Sequence, residues 1–303
     1  MLTDQVERYV RLRQTLGFTF HDAAKQLRAF AAFAAAQGDT HVRASTAVAW
    51  AGQACSSNAR YIRLRNVRHV ARFLHAEDPV HEIVPSNLFH SPRVRSMPYI
   101  YPPEEVNQIV KAAGRLRRTY ALRRKVYATL LGLIAATGLR VSEALELRFS
   151  DVLPDGILRI RHTKFGKTRL VPLHPTAIVA LGAYLDVRQR SAAVDDHVFL
   201  SLHNRRIASS TVNATFRRVL HLAGITRTQR GWPRIHDVRH TFATRALEQC
   251  ATRRDAVARH FVALATYLGH ADIANTYWYL EATPELLRDI SAAAEALVAK
   301  EMP

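Results

Sequence analysis

ILRIRHTKFGKTRLVPL, residues 157–173, is the stretch that decides the fold class. Ile157 to Arg161 reads as a strand, Phe165-Gly166 as a turn and Arg169 to Leu173 as the returning strand, with Asp155-Gly156 as a further turn ahead of them. A β-hairpin of this kind sets Lys164 at the tip end of its first strand and Lys167 just past the turn. The pattern on either side is helical. The expected fold is therefore mainly α with one small β-hairpin or sheet.

Working outward, residues 122–137 are apolar on nearly all sides (Val126, Tyr127, Leu130, Leu131, Leu133, Ile134, Ala135), which predicts a helix at the centre of its domain. Gly138 ends it, and Arg140 follows at once. Beyond the hairpin, helices are expected at Thr176–Arg188, Ser210–Ala223 and His240–Gln249. Upstream, Pro102-Pro103-Glu104-Glu105 suits a helix start, since proline and acids are favoured in a first turn. Prolines at 79, 85, 92, 98, 102 and 103 interrupt regular helix and mark a linker.

Before the linker, Thr3 to Leu74 divides into four helices. Val6, Tyr9, Val10 and Leu16 form one apolar stripe and Leu27, Phe30, Phe33 and Ala34 another, with Ser56-Ser57-Asn58 supplying a cap for the fourth helix, expected over Ala59–Leu74. The resulting boundaries are a helical domain at 1–84, a linker at 85–103 and a second domain at 104–303. The fourth helix carries Arg60, Arg63, Arg65, Arg68 and Arg72 with no acid among them. The expectation is that these arginines share a face that can lie along a DNA backbone; a solvated charged face is the alternative. Arg60, Arg63, Arg68 and Arg72, with Lys167 and Arg169 in the hairpin, are the residues that fit DNA contact.

Charge points the same way. The 303 residues hold 43 Lys and Arg against 25 Asp and Glu, a formal net charge of +18, which concentrates polyanions at the surface. Cys55 and Cys250 are far apart and form neither a disulfide framework nor a zinc spacing. The start of the chain lacks the apolar core of a signal peptide, and no run of about 18 apolar residues predicts a membrane span. A reducing cytoplasm is the expected location, with no membrane partner.

Four short motifs carry reactive side chains, and each has a plain reading when taken alone. Arg140 in TGLRVSEAL follows a helix end beside Glu143, which can orient its fork toward a phosphate; a surface salt bridge fits as well. Lys164 in the hairpin can protonate a leaving oxygen, or can simply be solvated. His236 and Arg239 in HDVRHTFAT lie three apart on one helical turn, where imidazole titrates near neutrality and guanidinium binds a non-bridging oxygen. YLGHADIANTYWYL offers His270 and, nine positions on, Tyr279, whose phenol can attack phosphorus. His236, His240, His260 and His270 lack the paired acid or cysteine spacing of a metal site.

Taken in order, TGLRVSEALELRFSDV, TKFGKTRLVPL, HDVRHTFAT and LGHADIANTYWYL resemble the first-arginine box, lysine hairpin, HxxR box and His-to-Tyr box of the tyrosine recombinases, or integrases, over about Glu104 to the C-terminus. The resemblance implies a mixed, mostly α catalytic domain behind a helical core-binding (SAM-like) domain. It implies Tyr279 as the nucleophile forming a 3′-phosphotyrosyl link, Arg140 and Arg239 clamping the phosphate, and Lys164 protonating the 5′ oxygen. His236 would then move a proton with the nucleophile and His270 hold a non-bridging oxygen, with Glu143 in support and no metal or cofactor. Double-stranded DNA is the implied partner, with four protomers on two sites or a mixed assembly of sister recombinases. Between Arg239 and His270 the piece CATRRDAVARHFVALATY is longer than in compact members, and with TYWYLEATPELL it resembles recombinases of transposons and other mobile elements. Two rival activities are a catalytically idle regulator of a partner recombinase and a strand relaxer resembling type IB topoisomerases. In the tail, Leu286, Leu287, Ile290 and Leu297 form a stripe for a C-terminal helix that docks on a neighbouring subunit or closes its own core.

Overall fold

Ser56 shows at once how the sequence starts its elements: its Oγ accepts the Ala59 N–H at 3.2 Å and caps the helix that follows. The computed structural model describes residues 1–18, 20–89, 97–116, 121–161, 168–190, 194–228, 231–249 and 254–269, and divides the chain into two compact units, Met1–Arg95 and Ser96–Pro303.

The first unit is α1 (Leu2–Thr15), α2 (His21–Ala36), α3 (Ala44–Gly52) and α4 (Ser57–Glu77). Val6, Tyr9, Val10, Leu27, Phe30, Trp50, Leu64, Val67, Val70 and Leu74 meet in its core. The alanine-rich run in α2 has a packing reason. Ala24, Ala31 and Ala34 are fully buried, so small side chains let the neighbouring helices approach, while Phe30 and Trp50 stack edge to face at 5.6 Å.

Prolines break helix but do not stop side chains from packing. Val84 is 1% exposed within the first core and Phe89 packs against it, whereas Tyr99 and Tyr101, from the other end of the proline-rich stretch, belong to the second core.

The second unit holds α5 (Pro103–Ala113), α6 (Ala121–Thr137), α7 (Val141–Leu145), β1 (Val152–Leu153), β2 (Ile157–Ile160), β3 (Arg169–Pro172), α8 (Pro175–Gln189), α9 (Ser209–Leu222), α10 (Ile235–Glu248) and α11 (Arg254–Leu268). Helix α6 is central and packs on α5, α8, α10 and α7. Val126, Tyr127, Leu130, Leu131, Leu133 and Ile134 are all buried, each worth about 1.5–3 kcal/mol of transfer free energy.

The hairpin strands pair antiparallel with Leu158 opposite Val171 and Ile160 opposite Arg169. Leu158, Ile160 and Val171 face the core. A two-residue strand, β1, joins them across the 154–156 turn to complete a three-stranded sheet in the order β1-β2-β3. The Phe165-Gly166 turn lies outside the described residues, and so does the tail over 284–299.

Two helices depart from expectation. Helix α10 begins at Ile235 rather than His240, because Asp237 accepts the Arg234 N–H at 2.8 Å and so caps the helix earlier. The segment treated as an insertion contains α11, whose Phe261, Leu264 and Leu268 form a small cluster with Ala243 and Leu247 of α10. His260 fastens the same pair, its Nε2 lying 2.7 Å from the Ala246 carbonyl. Where the chain enters this unit, Tyr101 is buried; its N–H donates to Thr241 Oγ1 at 2.9 Å and its hydroxyl to the Arg234 carbonyl at 3.1 Å.

Candidate active site

Glu143 sits where three elements meet and is the acid around which the candidate site is built. It belongs to α7, and its Oε2 accepts the Arg140 backbone N–H at 3.0 Å, which starts that short helix. Its Oε1 accepts from Arg140 Nη1 at 2.7 Å. Arg169, arriving on β3, adds a two-pronged pair, Nη1 to Oε1 at 3.0 Å and Nη2 to Oε2 at 2.8 Å. Arg239 on α10 brings Nη1 to 4.0 Å from Oε2. Burial alone would raise the Glu143 carboxyl; hydrogen bonds and charge from Arg169, then from Arg140, more than offset it and hold the group at about 2. Glu143 is therefore ionised at neutral pH.

One carboxylate against three guanidinium groups leaves an excess of positive charge. Arg239 is 2% exposed, Arg169 keeps 10% of its side-chain surface and Arg140 keeps 28%. Arg140 is therefore the most open of the three toward solvent. Such a set suits a site where negative charge develops.

The same arginines terminate α11. Arg169 Nε donates to the Tyr267 carbonyl at 2.8 Å, Arg239 Nη2 to Leu268 at 2.8 Å and Arg140 Nη2 to Gly269 at 3.3 Å. Arg239 Nη1 also donates to the Gly138 carbonyl at 2.6 Å. Gly138 and Gly269 both adopt positive φ, +62° and +66°. A Cβ at Gly138 would lie 2.5 Å from Phe242 Cδ1, so the chain there has room only for glycine.

His236 stands in the first turn of α10 with its ring edge-on to His240 at 4.9 Å. It remains open to solvent on one side. Burial of the rest of the ring, then the charge of Arg239, lowers its pKa. Burial lowers His240 further, to about 4.

The structure thus brings together Arg140, Glu143, His236 and Arg239 of the residues expected from sequence. Lys164, Lys167, His270, Tyr277 and Tyr279 lie outside the described residues. Arg169, a candidate for DNA contact from sequence, has its fork turned inward onto Glu143. What sequence reasoning missed is this role, together with the backbone carbonyls of Gly138 and residues 267–269. The signal for the former was a single acid, Glu143, standing among arginines in three separate motifs.

The α4 arginines also separate. At 100° per residue they cannot all share one face. Arg60 Nε donates to the Ala54 carbonyl at 2.9 Å, and Arg63 reaches the Trp50 carbonyl at 3.4 Å with its guanidinium 4.9 Å from the Trp50 ring centre. Arg65 and Arg72 are exposed, and Arg68 lies between them half-buried.

Among the described residues, the one grouping of His and carboxylates at metal-ligand spacing is Asp195, Asp196 and His197. Its members already bind one another and the Arg148 and Arg206 groups. No helix among these residues is long and apolar enough to cross a membrane.

Comparison with known proteins agrees with this architecture. A chain described as an integrase/recombinase, y4rB of Sinorhizobium fredii (strain NBRC 101917 / NGR234), is 35% identical over 294 residues, covering 94% of each chain. The XerH site-specific recombinase, solved bound to a palindromic difH substrate as a post-cleavage complex, aligns with a TM-score of 0.65 at 19% identity, over 97% of this chain and 85% of that one. The integrase of the Tn1549 transposon, in complex with a circular intermediate DNA, aligns with a TM-score of 0.63 at 17% identity over 98% and 99% of the two chains. These two structures share the fold. The family model for phage integrases matches residues 101–285, the segment that contains every one of the clustered arginines, and the chain belongs to the phage integrase family of tyrosine recombinases.

Proposed function

We propose that this protein is a site-specific DNA recombinase that cuts and rejoins double-stranded DNA through a 3′-phosphotyrosine intermediate. The observation that carries the reading is the cluster of Arg140, Arg169 and Arg239 on one buried carboxylate, three positive charges against one negative. Arg140 and Arg239 bind the non-bridging oxygens of the scissile phosphate and spread the charge that builds on the phosphorane. Tyr279 attacks phosphorus; the bond to the 5′ oxygen breaks, and Lys164 supplies that oxygen with a proton. His236, neutral at pH 7 because its pKa is lowered, takes part in proton transfer with the tyrosine, and His270 holds an oxygen. The 5′ hydroxyl of a partner strand then reverses the step, so the energy of the broken bond is kept in the phosphotyrosine and no nucleotide is consumed.

Four protomers on two sites, or a set of sister recombinases, exchange strands stepwise in the bacterial cytoplasm at the nucleoid. Similarity to a transposon integrase supports a role in moving a mobile element. The test is a nicked duplex carrying a site that the wild-type protein selects from a random pool. Wild type traps as a covalent adduct, Tyr277→Phe still does and Tyr279→Phe does not. Binding with no adduct from wild type identifies an idle regulator, and relaxation of plasmids lacking the site identifies a topoisomerase-like enzyme.

A further inference from the structure

Three consecutive carbonyls at the end of α11 each accept from a different arginine, and those arginines come from three different elements. The last carbonyls of a helix have no partners within it and carry the negative end of its dipole, so cations are favoured there. Arg140 gives Nη1 to Glu143 and Nη2 to the helix end and keeps 28% of its side chain exposed. Arg239 gives Nη1 to Gly138 and Nη2 to Leu268. Arg169 joins Glu143 to the helix end with its whole guanidinium: Nε donates to Tyr267, Nη1 and Nη2 to Glu143, and 10% of its side chain is exposed.

Gly269 lies against that guanidinium. A Cβ built on it would fall 2.7 Å from Nη1 and 2.9 Å from Cζ of Arg169, at a φ of +66°. The end of α11 and the guanidinium therefore pack so closely that only glycine fits between them.

We propose that Arg169 is a positioning residue for strand cleavage, holding Glu143 and the end of α11 so that Arg140 and Arg239 converge on one phosphate. The role rests on the recombinase reading above. The role predicts that a lysine does not serve, since a point charge cannot hold both carboxylate oxygens and a carbonyl in one plane.

The experiment compares wild type, Arg169→Met, Arg169→Lys and the double variant Glu143→Gln/Arg169→Met on the nicked duplex. Binding is read by fluorescence anisotropy, and the single-turnover rate of adduct formation is read across pH. For Arg169→Met, binding stays within about twofold while the adduct rate falls about 100-fold, the scale of a misplaced clamp. Because the buried Glu143 has lost its principal counter-charge, an acid limb appears in the Arg169→Met profile as the carboxyl protonates. That limb adds to the fall below pH 6.5 that His236 gives every variant, and the added part is missing from wild type and from the double variant. Arg169→Lys does not restore the rate.

Adduct formation at the wild-type rate in Arg169→Met overturns the proposal, as does full rescue by lysine. So does a joint fall in binding and rate without the added acid limb, which marks a merely structural arginine. Should Arg169→Met melt below the assay temperature, Arg169→Lys decides alone, and a full rate in that variant refutes the role. A wild-type protein that forms no adduct strikes the recombinase reading instead.

Discussion

Replacing Glu143 with Gln keeps the shape of the side chain and removes the single negative charge among three arginines. Its carboxyl is lowered from 4.5 to about 2 in the folded protein, and the side chain is only 6% exposed. At about 1.4 kcal/mol for each tenfold change in proton affinity, ionisation of Glu143 stabilises the fold by about 3 kcal/mol near neutrality. For a unit of this size that is roughly 6–12 °C in Tm. The sign follows from the lowered pKa. The contribution is complete above the unfolded value of 4.5 and is lost as the pH falls toward 2. Wild type therefore gives up about 2 kcal/mol of its advantage by pH 3, whereas Glu143→Gln has none to give up. Urea unfolding of both proteins at intervals from pH 6 to pH 3 measures the gap, and the other carboxylates cancel in the difference. A gap of equal size at both ends of the series would refute the claim that an ionised Glu143 gathers these arginines.

Further outcomes follow from single contacts. Gly138→Ala costs about 2–5 kcal/mol, combining a left-handed backbone with the collision at Phe242, whereas Gly224→Ala, at φ +74° with open space around it, costs about 1–2 kcal/mol; equal losses in thermal unfolding would contradict this. Ser56→Ala removes the α4 cap and lowers the stability of the first unit by about 1 kcal/mol in urea titration. In adduct assays the rate is flat from pH 6.5 upward and falls only below it, because the neutral form of His236 persists to lower pH; His236→Gln abolishes that limb. Arg65→Ala and Arg72→Ala each reduce the salt slope of DNA binding by about one, while Arg60→Ala and Arg63→Ala, whose forks are held by backbone carbonyls, leave it unchanged.

What could be read from the chain and what could not divide along the range of the interactions. The hairpin was legible because apolar residues and a glycine turn act within 17 residues. Helix α6 was legible from its unbroken apolar surface. Helix α10 was misplaced at its start because the cap is a side chain two residues inside it, Asp237, and not a residue ahead of it. Helix α11 carries its signal in Phe261, Leu264 and Leu268, but only packing against α10 gives that spacing its meaning. The inward turn of Arg169 was invisible for the same reason: its partners stand 26 and 98 positions away. In α4, the count of arginines was plain, but which of them turn back on the Ala54 and Trp50 carbonyls depends on how α3 meets α4.

Tyr101 gives the candidate site a mechanical side. Its two hydrogen bonds rivet the chain, where it enters the second unit, to both sides of the first turns of α10, at Arg234 and Thr241. Between those rivets lie His236 and Arg239. The residue where the chain enters this unit and the turn that carries the site are thus one fastened piece, so a side chain far from the chemistry helps fix where the clamp stands.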